Sequence, residues 1–240
     1  MSVAVIQQKS LFNDEGETTL AYRPRLAPLF QPRKIVLAKD SVNAATRRRL
    51  VDGVLAVYPK AEIIEQPTVP HDKVRIEADD PLDLHYKGHR VLDFGEHQSA
   101  VGRSDEEGNT CPNFWHFSPY GFCPCGCSFC YLAGTQGVRF SPSLKIYVNL
   151  EEILAESDRV AHRLGREEAF YLGKLQDRMA LDPLTGYSRV MIPFFARHPY
   201  ARLRVLSKCA DFENVLDLDH RGHTFCAGVS THPRCGRSTS

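Results

Sequence analysis

The chain has 240 residues, of which 42% are hydrophobic and 25% charged, ordinary values for a folded water-soluble protein and enough length to bury one large core or two small ones. Thirty basic against 29 acidic residues leave a formal charge of +1, so no global field marks the chain as a nucleic-acid or membrane-surface binder, although a local basic groove is compatible with that total. No apolar run reaches the roughly 20 residues of a membrane helix, and eight cysteines without a hydrophobic signal segment point to reduced thiols in the cytoplasm.

Residues 1–29 mix polar residues with Pro24 and Pro28, show no sustained period, and read as a loose leader whose apolar side chains pack on other parts of the chain. The branched apolar run 34–38 reads as a buried strand. Asp40 or Ser41 is placed to cap a helix carrying Leu50, Val51, Val54, Leu55 and Tyr58 on one face, with Pro59 ending it. A second strand at 61–64 makes residues 30–66 a small β-α-β unit. Arg47, Arg48 and Arg49 spread around most of a helical turn, which suits a solvated face better than a phosphate site. Residues 67–110 read as a connector with one strand at 89–94; its His71, His85, His89 and His97 lack metal-ligand spacing and are expected at the surface.

The stretch 111–132 holds five of the eight cysteines and the single tryptophan. Within it Cys123, Cys127 and Cys130 stand as C-x3-C-x2-C, with Phe129 just before the last cysteine. Three thiolates on one short loop hold three corners of a 4Fe-4S cluster and leave the fourth iron open. Two alternatives use the same residues. A structural zinc knuckle would draw on Cys111, Cys123, Cys127 and Cys130, with His116 nearby, although zinc sites more often show paired C-x2-C spacing. Disulfides would need an oxidising compartment. Cys125 gives a tighter C-x-C-x2-C set and reads as a bystander.

Beyond the loop, strands and helices alternate. A strand at 144–148 is followed by Asn149 as helix cap, with Glu152 three positions on as in a capping box, and Gly165 closes that helix. Residues 168–172 give the next strand, and 186–198 a helix built on Val190, Ile192, Phe194 and Phe195 that Pro193 interrupts. A strand at 203–206, a helix around 212–218 and a strand at 224–230 follow. Such alternation predicts parallel β-α units curling as a partial barrel. The chemistry of such a barrel sits at the carboxyl ends of its strands, which brings the loops 123–130, 173–177 and 207–209 to one mouth. Residues 231–240 carry no apolar period and read as a disordered tail, so the expectation is a barrel cut short with an exposed edge.

The C-x3-C-x2-C loop resembles the signature of the radical S-adenosylmethionine (radical SAM) enzymes. Further runs carry a closer resemblance: Phe-Gln-Pro-Arg-Lys at 30–34, Cys-Tyr-Leu at 130–132, Ile-Tyr-Val-Asn-Leu-Glu-Glu-Ile-Leu at 146–154, Leu-Asp-Pro-Leu-Thr at 181–185 and Val-Leu-Ser-Lys at 205–208. Together they are similar to the spore photoproduct lyase family over residues 30–225. The resemblance implies an α/β fold, a partial β/α barrel of the radical SAM type over 111–230 preceded by the small unit and connector at 30–110. It implies a 4Fe-4S cluster on Cys123, Cys127 and Cys130, S-adenosyl-L-methionine as cosubstrate, an electron donor such as flavodoxin or ferredoxin, and a DNA or nucleotide-like substrate in photoproduct repair. By the same resemblance Phe129 packs beside the adenosine, Tyr131 lies near the radical path, Lys208 reaches the cosubstrate carboxylate, and Gln176 and Asp177 contact the ribose and the lesion. A surface lysine at a strand end is the plainer account of Lys208. The chain departs from the family where a hydrogen-donating cysteine is expected: Lys174 stands there, with Cys209 as a distant substitute. A zinc-stabilised nucleic-acid-binding module and a shortened, inactive relative remain the alternatives.

Overall fold

The computed structural model describes residues 22–27, 30–67, 74, 76–104, 114–127, 143–174 and 176–228. Most of the leader, the tail after 228, His71, Cys111, Phe129, Cys130 and Tyr131 lie outside these residues.

The chain is a mixed α/β protein built on two sheets. Strand β1 (Lys34–Ala38) leads through a 3-10 turn at Lys39–Val42 into helix α1 (Ala45–Val57) and back to β2 (Glu62–Gln66), the strand–helix–strand order predicted for 30–66. Helix α2 (Pro81–Gly88) and strands β3 (Val91–Gly95) and β4 (Val101–Ser104) occupy the connector. Strands β5 (Phe114–Phe117), β6 (Tyr120–Gly121) and β7 (Leu144–Tyr147) follow, then α3 (Leu150–Leu164), β8 (Glu168–Leu172), the short α4 (Asp182–Thr185), α5 (Ser188–Arg197), β9 (Ala201–Ser207) and β10 (Thr224–Gly228). One sheet has the order β2-β1-β3-β7-β6 and the other β10-β9-β8-β5-β4. Only β6 on β7 and β4 on β5 are antiparallel; the other pairs are parallel. The segment 114–121 belongs to both sheets, through β5 in one and β6 in the other.

Period-two burial explains the second sheet. In β9, Ala201, Leu203, Val205 and Ser207 are buried while Arg202, Arg204 and Leu206 are half-exposed. The buried side meets α5, where Phe195 stacks on Phe117 at 5.4 Å and lies 6.2 Å from Phe170. Each such fully buried ring contributes about 1.5–3 kcal/mol. The end of the leader is fastened to the same region. Tyr22 donates its hydroxyl hydrogen to the Pro183 carbonyl at 2.7 Å, Arg25 pairs with Asp211 at 3.2 Å, and Ala27 and Phe30 join the core.

Several sequence expectations are corrected. Helix α1 begins behind Ala44 with no side-chain cap, not behind Asp40 or Ser41, and the Ser41 hydroxyl donates to the Ala38 carbonyl. Asn149 precedes α3 but makes no cap bond, because its carboxamide is spent on the backbone of His97 at 3.0 and 3.1 Å. Glu152, freed from a capping box, pairs with Arg47, which also holds Glu96. Arg47 is therefore half-buried, whereas Arg48 and Arg49 are exposed. Pro193 does not break α5, since Met191, Ile192, Phe194 and Phe195 bury the turns on either side. The helix expected around 212–218 shrinks to one 3-10 turn at Glu213–Val215. His85, His89 and His97 are half-buried rather than surface residues, since rings pack on each: Phe122 on the first two and Tyr147 on the third. Helix α2 went unseen, although Asp80 ahead of Pro81 is a strong start signal and its carboxylate accepts from the Leu82 and Asp83 amides.

His198, just past α5, is 4% exposed. Its Nδ1 accepts the backbone N–H of Tyr200 at 3.0 Å and of Ala201 at 2.8 Å, and its Nε2 lies 3.2 Å from Asp158 Oδ1. Asp158, His162 and His198 are close enough to share a cation. An imidazole accepting two N–H groups at Nδ1 carries its own hydrogen on Nε2, however, and so offers a metal no lone pair. The trio is a clasp between α3 and the entry to β9. Burial pushes the His198 pKa down; Asp158 opposes this, and His162 and Arg202 add to it. The neutral ring is therefore the folded form. The unfolded chain therefore takes up the proton at a higher pH than the folded one, and stability falls as the pH drops below the ordinary value of 6.5. Denaturant midpoints between pH 8 and 5 should show this loss in the wild type and a shallower slope in His198→Gln, whose carboxamide oxygen keeps an acceptor for the two amides. Equal slopes would refute the clasp.

Candidate functional site

The carboxyl ends of β8 and β9 and the loop after β6 meet at one place, as the barrel logic requires. The junction is Asp177, 8% exposed. Its Oδ1 accepts the Met179 and Ala180 amides, both at 3.1 Å, and the Ser207 hydroxyl at 2.8 Å; its Oδ2 accepts the Lys208 amide at 2.6 Å. Its own N–H donates to the sulfur of Cys123 at 3.3 Å. One residue thus ties the β8 loop, the β9 loop and the cysteine loop together, and the carboxylate stays buried because four donors replace its water.

The residues around it hold the same corner. Gln176 donates its side-chain N–H to the Tyr120 carbonyl at 2.9 Å. Gly173, at φ 72°, leaves β8 in the left-handed region, and a Cβ there would stand 2.6 Å from Gln176 Nε2; only glycine allows both the turn and that bond. Arg178 donates to the Gly173 carbonyl at 3.1 and 3.2 Å and to the Leu206 carbonyl at 3.3 Å, clamping the last turns of both strands. Sequence reading missed Arg178, because one arginine in a loop gives no periodic signal. Lys208 follows β9 directly with an exposed side chain, where the sequence put it. Lys174 is half-buried on the β8 loop.

Cys123, Cys125 and Cys127 are half-buried free thiols. The Cys125 thiol hydrogen-bonds to the Cys123 sulfur and, against burial and with help from the Asp177 amide, lowers the Cys123 pKa to about 7; the same contact pushes Cys125 well up. Cys123 is therefore primed as a thiolate, the form that ligates metal. Phe122, just before it, sits at φ 62°, outside the comfort of an ordinary side chain, and its ring packs edge-on against His85 at 5.8 Å and His89 at 5.1 Å. This buttress from α2 holds the entry to the cysteine loop. The structure brings together Cys123, Asp177 and Lys208 from the sequence-derived set, with Gln176 next to Asp177 and bonded to Tyr120, and Cys127 is a half-buried thiol on the same loop; Phe129, Cys130 and Tyr131 lie outside the described residues. The described donors are thiols in a protected loop with bound amide hydrogens, and they fit an iron–sulfur cluster.

Removing the Asp177 carboxylate orphans the Ser207 and Lys208 donors. Asp177→Ala should lower stability by about 3 kcal/mol, with Asp177→Asn intermediate, as read by urea unfolding. A loss below about 0.5 kcal/mol would show that the loops hold without it.

The family model for spore photoproduct lyase matches residues 116–230. Among curated relatives, the spore photoproduct lyase of Geobacillus sp. (strain Y412MC61) is 31% identical over 99 residues, 41% of this chain and 28% of that protein. That of Clostridium acetobutylicum is 29% identical over 103 residues, 42% of this chain and 30% of that protein. The match thus spans less than a third of the relatives' length. Among solved structures, a cysteine variant of spore photoproduct lyase superposes with a TM-score of 0.69 at 21% identity, covering 83% of this chain and 56% of that one. A double variant with bound AdoMet and dinucleoside spore photoproduct gives the same values. At that identity the likeness speaks for the fold.

Proposed function

We propose, on the match of residues 116–230 to the family model for spore photoproduct lyase, that this chain is a radical S-adenosylmethionine enzyme acting on a DNA or nucleotide-like substrate, in the manner of photoproduct repair. The observation that carries the reading is the Asp177 junction, which sets a thiolate ligand candidate, Cys123, against the loop that bears Lys208. In this reading Cys123, Cys127 and Cys130 hold a 4Fe-4S cluster with one open iron. When bound, such a cluster supplies the electron that splits the sulfonium of S-adenosylmethionine into methionine and a 5'-deoxyadenosyl radical.

The remaining roles belong to the chain's own residues. Lys208 offers its ammonium to the cosubstrate carboxylate as a compact point charge. Gln176 shapes the wall beside it, and Asp177 acts through the backbone of Lys208 and the sulfur of Cys123 while keeping its own oxygens inside. Phe129 packs against the adenosine and Tyr131 stands by the radical path. Lys174 occupies the place of a hydrogen-donating thiol, so this chain completes its reaction with a hydrogen donor of another kind. Domains run as an N-terminal leader to 29, a small unit and connector to 110, and the catalytic part from 111. The enzyme works in the cytoplasm with a flavodoxin or ferredoxin as reductant; among the described residues no helix is long and apolar enough to cross a membrane.

Anaerobic reconstitution with iron and sulfide, then reduction in the presence of S-adenosylmethionine, should release 5'-deoxyadenosine and give the electron paramagnetic resonance signal of a reduced cluster. Cys123→Ala, Cys127→Ala and Cys130→Ala should each lose both, and Cys125→Ala should keep them. A colourless protein with stoichiometric zinc and no release would overturn the reading in favour of a zinc-stabilised module.

A further inference from the structure

The face of the second sheet turned away from α5 has a composition that the mouth chemistry does not use. Register partners on neighbouring strands point to the same side. Gly102 pairs with His116, His116 with Tyr171, Tyr171 with Arg204, and Arg204 with Phe225, so these five residues form one row across β4, β5, β8, β9 and β10. The row lies opposite Phe170, Leu203 and Val205, which are buried on the α5 side. Gly102 lets the His116 ring lie flat on β4, since a Cβ there would meet it at 3.1 Å.

Aromatic rings and guanidinium groups alternate on this face. Phe114 lies 4.5 Å from Tyr171, Arg178 stands over the Tyr171 ring at 5.8 Å, and Arg204 stands over the Phe225 ring at 5.0 Å. None of the strand residues on this side is Asp or Glu. Among the described residues Arg204 has no carboxylate at ion-pair distance, and Phe225 is 53% exposed. An exposed phenyl ring beside a guanidinium with no described carboxylate partner matches a ligand that is both flat and anionic. An unstacked base with its phosphate has both properties.

We propose that Arg204 and Phe225 form a stacking platform for an unpaired base of a DNA strand, with Phe225 taking the ring and Arg204 the adjoining phosphate. This rests on the nucleic-acid reading of the substrate and adds to it how the strand is held: by the base face, so independently of sequence. A base in duplex DNA must leave the stack to reach such a platform, which predicts a preference for single-stranded or distorted DNA.

Fluorescence anisotropy of the full chain with a dye-labelled oligothymidylate and with an abasic deoxyribose-phosphate oligomer of equal length separates ring from charge. The wild type should bind the base-bearing strand roughly ten-fold more tightly than the abasic one. Phe225→Ala should abolish that preference and Phe225→Trp should keep it. Arg204→Gln should weaken both strands and reduce the salt slope by about one phosphate contact. Equal wild-type affinity for the two strands, or a preference that survives Phe225→Ala, overturns the platform; circular dichroism confirms that each variant is folded. Release of 5'-deoxyadenosine by the wild type is followed in parallel. Its absence alongside an intact base preference would fail the enzymatic reading and leave the platform standing.

Discussion

A single buried carboxylate organises the mouth of this fold. Parallel β-α units place their loops at one end but do not fix the loops to one another. Asp177 supplies that fixation, accepting from Ser207 and Lys208 on one side and lending its amide to Cys123 on the other. In a low-dielectric site each of these bonds is worth more than at the surface, provided every oxygen is satisfied. Here each oxygen accepts at least one bond. The backbone of Lys208 and the sulfur of Cys123 are thereby held in one frame, which is the preorganisation that positioning chemistry needs.

The other buried acids follow a different logic. Asp182 accepts the Ser188 amide, the Ser188 hydroxyl and the Asn214 carboxamide, and Asn214 also reaches Tyr22; this network binds the leader's end, α4, α5 and the turn after β9. Asp93 pairs with Lys145 at 3.0 Å across β3 and β7. Burial raises both carboxyl pKa values against the bonds that oppose it. These groups serve registry and packing, and they lie on sequence positions where an apolar residue would continue the strand or helix pattern. Asp177 differs because its partners come from the loops that the chemistry uses.

The strands of the β-α units and the spacing of the cysteine loop were legible because both have short-range signals, short apolar runs and thiols at fixed spacing, whereas β4, β5, β6 and the division into two sheets were not. Gly165 was legible as a helix stop and proved to be left-handed at φ 61°. The capping failures share one cause, a polar side chain with two local options whose choice depends on a distant partner. Asn149 gave up its helix cap for His97, and Glu152 gave up a capping box for Arg47. Arg178 could not be found from sequence at all, since its acceptors are backbone carbonyls of Gly173 and Leu206. The arginines of β9 were more readable than they were read: Arg202 and Arg204 recur at the strand period on the side away from the apolar residues.

The thiols off the mouth sharpen what distinguishes this chain from its relatives. Cys226 pairs in register with Val205, on the α5 side of the sheet, and Cys209 is 7% exposed within the core. Neither shares the face that carries Arg204; burial raises the pKa of Cys209, which disfavours its reactive thiolate, whereas Cys226 is exposed on β10. Lys174 stands half-buried on the loop after β8, and an ammonium delivers protons and charge, not hydrogen atoms. The described mouth thus ties the cysteine loop to the loops after β8 and β9, while the sheet face turned away from α5 carries aromatic and cationic side chains.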